Sequence, residues 1–467
     1  MGFEYDWLVV GDSEGAVHSA SLAAQWGARV AWVVPPGETW RRRVCGELAI
    51  AQLQSLASRT DLDMTDLAAN WRLAEEMTEN SGILRSPATL ALQGVDVHIG
   101  SVEFMLEPHL QVRLHEAGEL GSRRELRSRH YLLAPAPQPY ISPIQGLQEI
   151  PYYDLNHLKP LLSGKLPQNL TIVGADPQGA VLAQTLAHLG VSVQLLVGEP
   201  FLLPYEDPQL GKRLHAHLEA AGVRVLTGTP LMQIREIEGK IWLQGGNQAL
   251  ETEGLVLAQG WQGNLQGIGV DNLPIKWYAG QTGTNPRLET AQPGVYACGS
   301  LLGGYCDREL ERYEAELATY NALVLPRDRL DYSSFPRIIS TAPPIAAVGL
   351  TTPQAQERFG EEFVTLSLPL YQVDSCQRRG HLDGLATLLV RPSGQLIGAY
   401  SIADEAPRWI QAIALLIKQR SHIRNLATLP PPDRDLFDGF LRLWNPVWRQ
   451  QHPQLHRLQQ AWFDWRR

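Results

Sequence analysis

Three short stretches carry residues whose types and spacing could do chemistry. Arg41-Arg42-Arg43-Val44-Cys45 sets a thiol beside three guanidinium groups, which would lower the pKa of Cys45 and make it a reactive nucleophile. Gly11-Asp12-Ser13-Glu14-Gly15-Ala16 and Gly174-Ala175-Asp176-Pro177-Gln178-Gly179 have the glycine spacing that lays a phosphate group on the start of a helix. Each has a plainer reading. A single cysteine is more often a small buried apolar residue, and one glycine turn is more often a tight strand-to-helix connection without a ligand.

The elements around the turns strengthen the second pair. Trp7-Leu8-Val9-Val10 reads as a buried strand, Ala20 to Gly27 as a helix closed by glycine, and Arg29 to Val34 as the next strand. The pattern returns later: a strand over Leu170 to Val173, a helix from about Ala180 to Leu189 ended by Gly190, and a strand over Val191 to Val197. Two such βαβ units about one domain apart predict two doubly wound domains. Between them lies a helical stretch from Gly46 to about Glu79, then short strands. Past Asp331, strands at Ala346 to Leu350, Leu385 to Val390 and Leu396 to Tyr400, and a helix from Trp409 to Lys418, predict a separate α+β domain.

Whole-chain properties bound the function. A chain of 467 residues with 44% hydrophobic and 19% charged residues has the composition of a multi-domain globular protein. A net charge of −9 argues against a nucleic-acid partner, which needs a basic footprint. Cys45, Cys298, Cys306 and Cys376 include no C-x-x-C pair, so neither a disulfide framework nor a zinc site is expected. The start, Met1 to Asp6, has no signal-like basic and apolar regions, and no apolar run reaches the ~20 residues of a membrane span. A cytoplasmic protein without an integral membrane segment is therefore expected.

The order of these pieces resembles the pyridine nucleotide–disulfide oxidoreductases, the family of dihydrolipoamide dehydrogenase, glutathione reductase and mercuric reductase. The resemblance spans essentially the whole chain and rests on Phe201-Leu202-Leu203-Pro204 with Asp207, Ala221 to Leu226, Pro293 to Gly299, Thr341 to Leu350 and Gly394 to Ala399. It implies an α/β fold with two Rossmann-like dinucleotide-binding domains and a C-terminal α+β dimerisation domain. The boundaries that follow are 1–150 with 260–328 for the FAD-binding type, 151–259 for the NAD(P)H-binding type and 332–436 for dimerisation, leaving a Trp/Arg-rich helical tail at 437–467.

The chemistry of the family is less visible than its scaffold. Where the resemblance implies FAD, the fingerprint positions are Gly11, Ser13 and Ala16, with Gly15 beside them, and Gly299-Ser300 stands where a Gly-Asp pair would hold the ribityl side. Asp12 and Glu14 add negative charge near a diphosphate, and Val34-Pro35 replaces the acid that would hold the ribose. FAD retention there is weakened yet open. Gly174 and Gly179 mark a vestigial nicotinamide site in which Asp176 takes the central glycine position and Val197 that of the ribose-selecting acid, so NAD(P)H is not expected to bind. The implied Cys-x4-Cys pair is absent: Cys45 faces Ile50 in one alignment and Trp40 in the other. The His-Pro-Thr acid–base motif is replaced by Pro430-Pro431-Pro432, with Asp435 or Asp438 near the place of its carboxylate partner.

These losses predict a non-catalytic binding or assembly scaffold, a pseudoenzyme that dimerises like its relatives. The alternative is an FAD-dependent oxidoreductase working without a redox disulfide and with a donor other than NAD(P)H. In the tail, Leu455, Leu458, Trp462 and Trp465 fall at helical spacing beside Arg457, Arg466 and Arg467, which could dock a protein partner or a membrane surface, though packing within a dimer is favoured.

Overall fold

Apolar runs four to six residues long, broken by glycine and ended by capping residues, set the pattern of the N-terminal half. In the computed structural model, the described residues are 3–36, 50–51, 53–54, 72–73, 76–77, 86–117, 123–162, 165–380, 382–428 and 435–466. They fall into two compact units, Met1–Gly198 with Thr229–Leu330, and Glu199–Gly228 with Asp331–Arg467.

The first unit contains both βαβ repeats. Strand β1 (Tyr5–Val10) leads to helix α1 (Glu14–Gln25) and strand β2 (Val30–Val34), followed by β3 (Val95–Met105), β4 (Gln111–Glu116), β5 (Arg123–Leu126) and β6 (Ser128–Leu133). The later repeat is β7 (Asn169–Val173), α2 (Pro177–His188) and β8 (Ser192–Leu196), joined by β9 (Gly254–Leu257). Strand β10 (Val295–Ala297) and helix α3 (Arg308–Leu323) then return the chain to the first sheet. That sheet runs β10-β6-β1-β2-β3-β4-β5, parallel through β3 and antiparallel beyond it. The second sheet sets β7 between β8 and β9, all parallel. Strands β1 and β2 are buried along almost their whole length, as expected of a sheet covered on both faces.

Both repeat helices begin before the apolar periodicity does. Helix α1 starts at Glu14 because Ser13 caps it, and α2 starts at Pro177 because Asp176 caps it and proline suits the first helical position.

The second unit is an antiparallel sheet with helices on it. Its strands are β11 (Arg337–Ile339), β12 (Ile345–Gly349), β13 (Val364–Pro369), β14 (Leu385–Val390) and β15 (Leu396–Ile402), in the order β11-β12-β15-β14-β13. Helix α4 (Ala406–Lys418) lays Trp409, Ile410, Ile413 and Ile417 into the core. Asp207, singled out in the sequence, caps the helix Pro208–Ala220 and also accepts the Thr352 amide proton at 2.7 Å, while Glu206 holds Arg337 through two oxygens at 2.6 and 2.9 Å. That sequence signature works here as internal bracing.

The expected tail divides into two helices of different character. Helix α5 (Asp435–Gln451) buries Phe437, Phe440 and Trp444 in the core of its unit, whereas α6 (Pro453–Arg466) has no buried residue among those described. Cys45, the three arginines at 41–43, most of the 46–79 stretch and the proline run at 430–432 lie outside the described residues.

Candidate functional site

Both glycine turns are built on one plan. The Gly11 amide donates to Val33 O at 3.0 Å and the Gly174 amide to Leu196 O at 2.8 Å, tying each turn to the end of the neighbouring strand. The central residues then reach the opposite side: Ser13 N donates to Ala134 O and Asp176 N to Ala258 O. Gly11 and Gly174 have φ of 130° and 132°, and a Cβ on either would lie 2.2 Å from Ala134 O or 1.9 Å from Ala258 O. Only glycine fits such positions. The third fingerprint positions serve packing. A Cβ on Gly179 would meet that of Ala258 at 2.7 Å, and Ala16 is fully buried. Gly15 lets α3 come close: a Cβ there would stand 3.1 Å from Glu311 O and 3.2 Å from Cys298 Sγ.

The two helix starts differ in how far the chain's own groups use their amide donors. In α2, Asp176 Oδ1 accepts the Gln178 amide proton at 2.8 Å, and Asp176 O accepts those of Gly179 and Ala180. Pro177 has no amide proton, so every donor of that first turn is used internally. In α1, Ser13 Oγ accepts from Ala16 N at a longer 3.3 Å, and Val17 N donates to Ser13 O. The Glu14 and Gly15 amides have no protein acceptor among the described residues.

The two turns differ most in what surrounds them. Residues 174–178 are half-exposed, whereas 11–17 are all buried. Around the buried turn gather four carboxyl groups, those of Asp12, Glu14, Glu311 and Glu314, each less than 9% exposed. Asp12 Oδ1 accepts the Ala136 amide at 2.9 Å and Glu314 Oε2 that of Gly299 at 2.7 Å. Among the described residues Glu14 meets Arg312 Nε, at 4.0 Å from Oε1, and its Oε2 is buried without a hydrogen bond. Burial pushes the Glu14 carboxyl up to about 7, against the pull of Arg308 and Arg312, with Glu311 and Glu309 adding to the rise.

Gly299, with φ of 67°, and Ser300 follow β10. Ser300 is buried, and its hydroxyl points to Pro135 O at 3.5 Å. Cys298 is fully buried, and burial, then Glu314 and Glu311, holds its thiol well above the usual range, so it is no nucleophile. Asp12, Glu14, Gly299 and Ser300 thus meet at one turn, and Gly174 with Gly179 form a second one. Glu311 and Glu314 were not singled out from sequence. Their signal is position: both fall among Leu310, Ala315, Leu317 and Ala318 on the apolar stripe of α3, where a carboxylate is costly unless paired.

The family's cofactors can be tested against these turns. The backbone at Gly11 would admit a diphosphate, and among the described residues four buried carboxyl groups and two arginines stand near that turn. At the second turn the donors that would hold a pyrophosphate are already used. No group of three or more His, Cys, Asp or Glu side chains able to hold a metal occurs among the described residues. Nor is any described helix long and apolar enough to cross a membrane.

Known proteins place the chain within a family. Residues 5–319 match the family model for pyridine nucleotide-disulphide oxidoreductases, and residues 335–430 match that family's dimerisation domain. A mercuric reductase from Staphylococcus aureus is 26% identical over 461 residues, covering 93% of this chain and 81% of that protein. A dihydrolipoyl dehydrogenase from Chlamydia muridarum is 24% identical, covering 92% of each. The crystal structure of LpdA from Mycobacterium tuberculosis superposes with a TM-score of 0.82 at 20% identity, covering 94% of this chain and 99% of that one. HOCl-induced flavoprotein disulfide reductase RclA from Escherichia coli does so with a TM-score of 0.79 at 20% identity, covering 93% and 98%. With more than half its length matched, the chain belongs to the pyridine nucleotide–disulphide oxidoreductases, a family of FAD-binding flavoproteins.

Proposed function

We propose that this member is a non-catalytic binding or assembly scaffold, acting as a cytoplasmic homodimer through its C-terminal α+β domain. The observation that carries the proposal is that the chain's own carboxyl groups stand at the starts of both fingerprint helices. Asp176 takes up the start of α2, and four buried carboxyl groups crowd the start of α1. Sequence adds the single cysteine in the redox segment and the prolines in place of the acid–base motif. On this reading neither NAD(P)H nor a redox disulfide takes part, and the fold is kept for the surfaces it presents.

One observation favours a second reading. Among the described residues the Glu14 and Gly15 amides have no protein acceptor, and such donors are the ones a helix offers to phosphate. A flavoprotein with a donor other than NAD(P)H would use them together with Gly11, Ser13, Ala16 and Ser300.

The deciding experiment is the absorbance spectrum of the purified chain and of the supernatant after denaturation, followed by assays of NADH- and NADPH-dependent reduction of lipoamide, a disulfide and Hg(II). The scaffold reading expects a colourless protein that takes up no added FAD and reduces none of the three. Released flavin near one per chain would replace it with the flavoprotein reading, and turnover with any of the substrates would sink both.

A further inference from the structure

Helix α6 is amphipathic by sequence, yet none of its described side chains is buried. Leu458, Trp462, Phe463 and Trp465 are 66%, 53%, 52% and 76% exposed. The Trp462 and Trp465 rings lie against each other at 5.3 Å between centroids, and the Arg466 guanidinium sits 5.7 Å from the Trp462 ring centroid. A 14-residue helix is marginal in water by itself and depends on burial of its apolar face. The preceding helix shows the contrast, since α5 delivers Phe437, Phe440 and Trp444 to the core of its unit. The exposed aromatic side chains of α6 are therefore a surface waiting to be covered.

Charge indicates what covers it. Residues 405–467 contain ten Arg or Lys and five Asp or Glu, a charge of +5 on a chain whose total is −9, so the rest carries −14. A basic segment on an acidic chain is a charge pattern that favours an anionic surface for that segment. The aromatic groups fit the same occupant. Leu458, Trp462 and Trp465 share one face at i, i+4 and i+7, and Phe463 widens it by about 100° of helix rotation. A single protein groove reads a narrow stripe, whereas a fluid interface takes a broad apolar arc and places tryptophan rings at headgroup depth.

We propose that α6 docks the protein peripherally on an anionic lipid surface, with Leu458, Trp462, Phe463 and Trp465 in the interface and Arg457 and Arg466 at the headgroups. This goes beyond the scaffold reading and does not depend on it, since a flavoprotein could be carried to a membrane equally well. The full-length chain would be sedimented with vesicles of phosphatidylcholine alone and of phosphatidylcholine with phosphatidylglycerol, while tryptophan emission is followed. Binding to the anionic vesicles only, with a blue shift of emission and weakening by added salt, is expected. Because these side chains are exposed, Trp462→Ser with Trp465→Ser leaves the fold intact and should lower vesicle affinity by roughly tenfold or more. Arg457→Glu with Arg466→Glu should remove the preference for anionic lipid. Equal binding to both vesicle types, or none, overturns the proposal. So does a shift of the tryptophan double variant from dimer to monomer by light scattering without vesicle binding by the parent, which would assign the face to a second copy of this chain.

Discussion

The turn at 11–16 and the turn at 174–179 share a backbone and diverge in everything attached to it. Both bend at a glycine with φ near 130°, and both close on the carbonyl at the end of an adjacent parallel strand. The first is then sealed by α3 and lined with buried acids, whereas the second stays half-exposed and is neutralised by one carboxylate of its own. Backbone geometry is the part of a nucleotide site that the fold itself requires, because the crossover from strand to helix needs it with or without a ligand. Side chains at the helix start are where the two turns differ from each other.

The largest test of the shared part is to replace either first glycine. Gly11→Val and Gly174→Val each force a β-branched residue into positive φ against a backbone carbonyl, and each should cost about 4 kcal/mol or more, measured by urea unfolding. If one were tolerated and the other not, the two turns would not share a plan.

Next in size is Glu14→Gln, which has no counterpart at the second turn. The Glu14 carboxyl is raised from 4.5 to about 7 on folding. Its ionisation therefore opposes the fold. The penalty is absent below about pH 4.5, grows between the two values, and is complete above about pH 7. The glutamine variant should gain up to about 3 kcal/mol at the alkaline end and close to nothing at the acidic end. A gain that does not vary with pH would show that Glu14 is not held as described.

The smallest effects separate the caps. Asp176→Ala removes a 2.8 Å bond and should cost about 1 kcal/mol, while Ser13→Ala removes a 3.3 Å bond and should cost about 0.5 kcal/mol. Reversal of that order, read from thermal unfolding, would mean that the first helix depends on its cap more than its geometry indicates.

Much of the fold is legible in the residues. The strands Leu385–Val390 and Ile345–Gly349, the two βαβ repeats and the family membership all come from short apolar runs bounded by glycine and by capping residues, which act locally. The starts of α1 and α2 are less legible, because Ser13, Asp176 and Pro177 extend each helix ahead of its apolar periodicity. The tail reads as one helical segment in sequence, but α5 delivers side chains to a core while the described side chains of α6 are exposed, since equal spacing of tryptophans does not say which face meets a sheet.

By itself, then, the sequence determined where the chain turns and which family it joins. Those outcomes depend on steric rules acting within a few residues. Only the tertiary structure decided that Asp12 points to Ala136, that Glu311 and Glu314 arrive at the first turn from a helix some 300 residues further on, and that Glu14 loses its water. The physical reason is that a carboxyl group's charge and partners are set by what the fold packs around it, and that neighbourhood is assembled from distant segments of the chain.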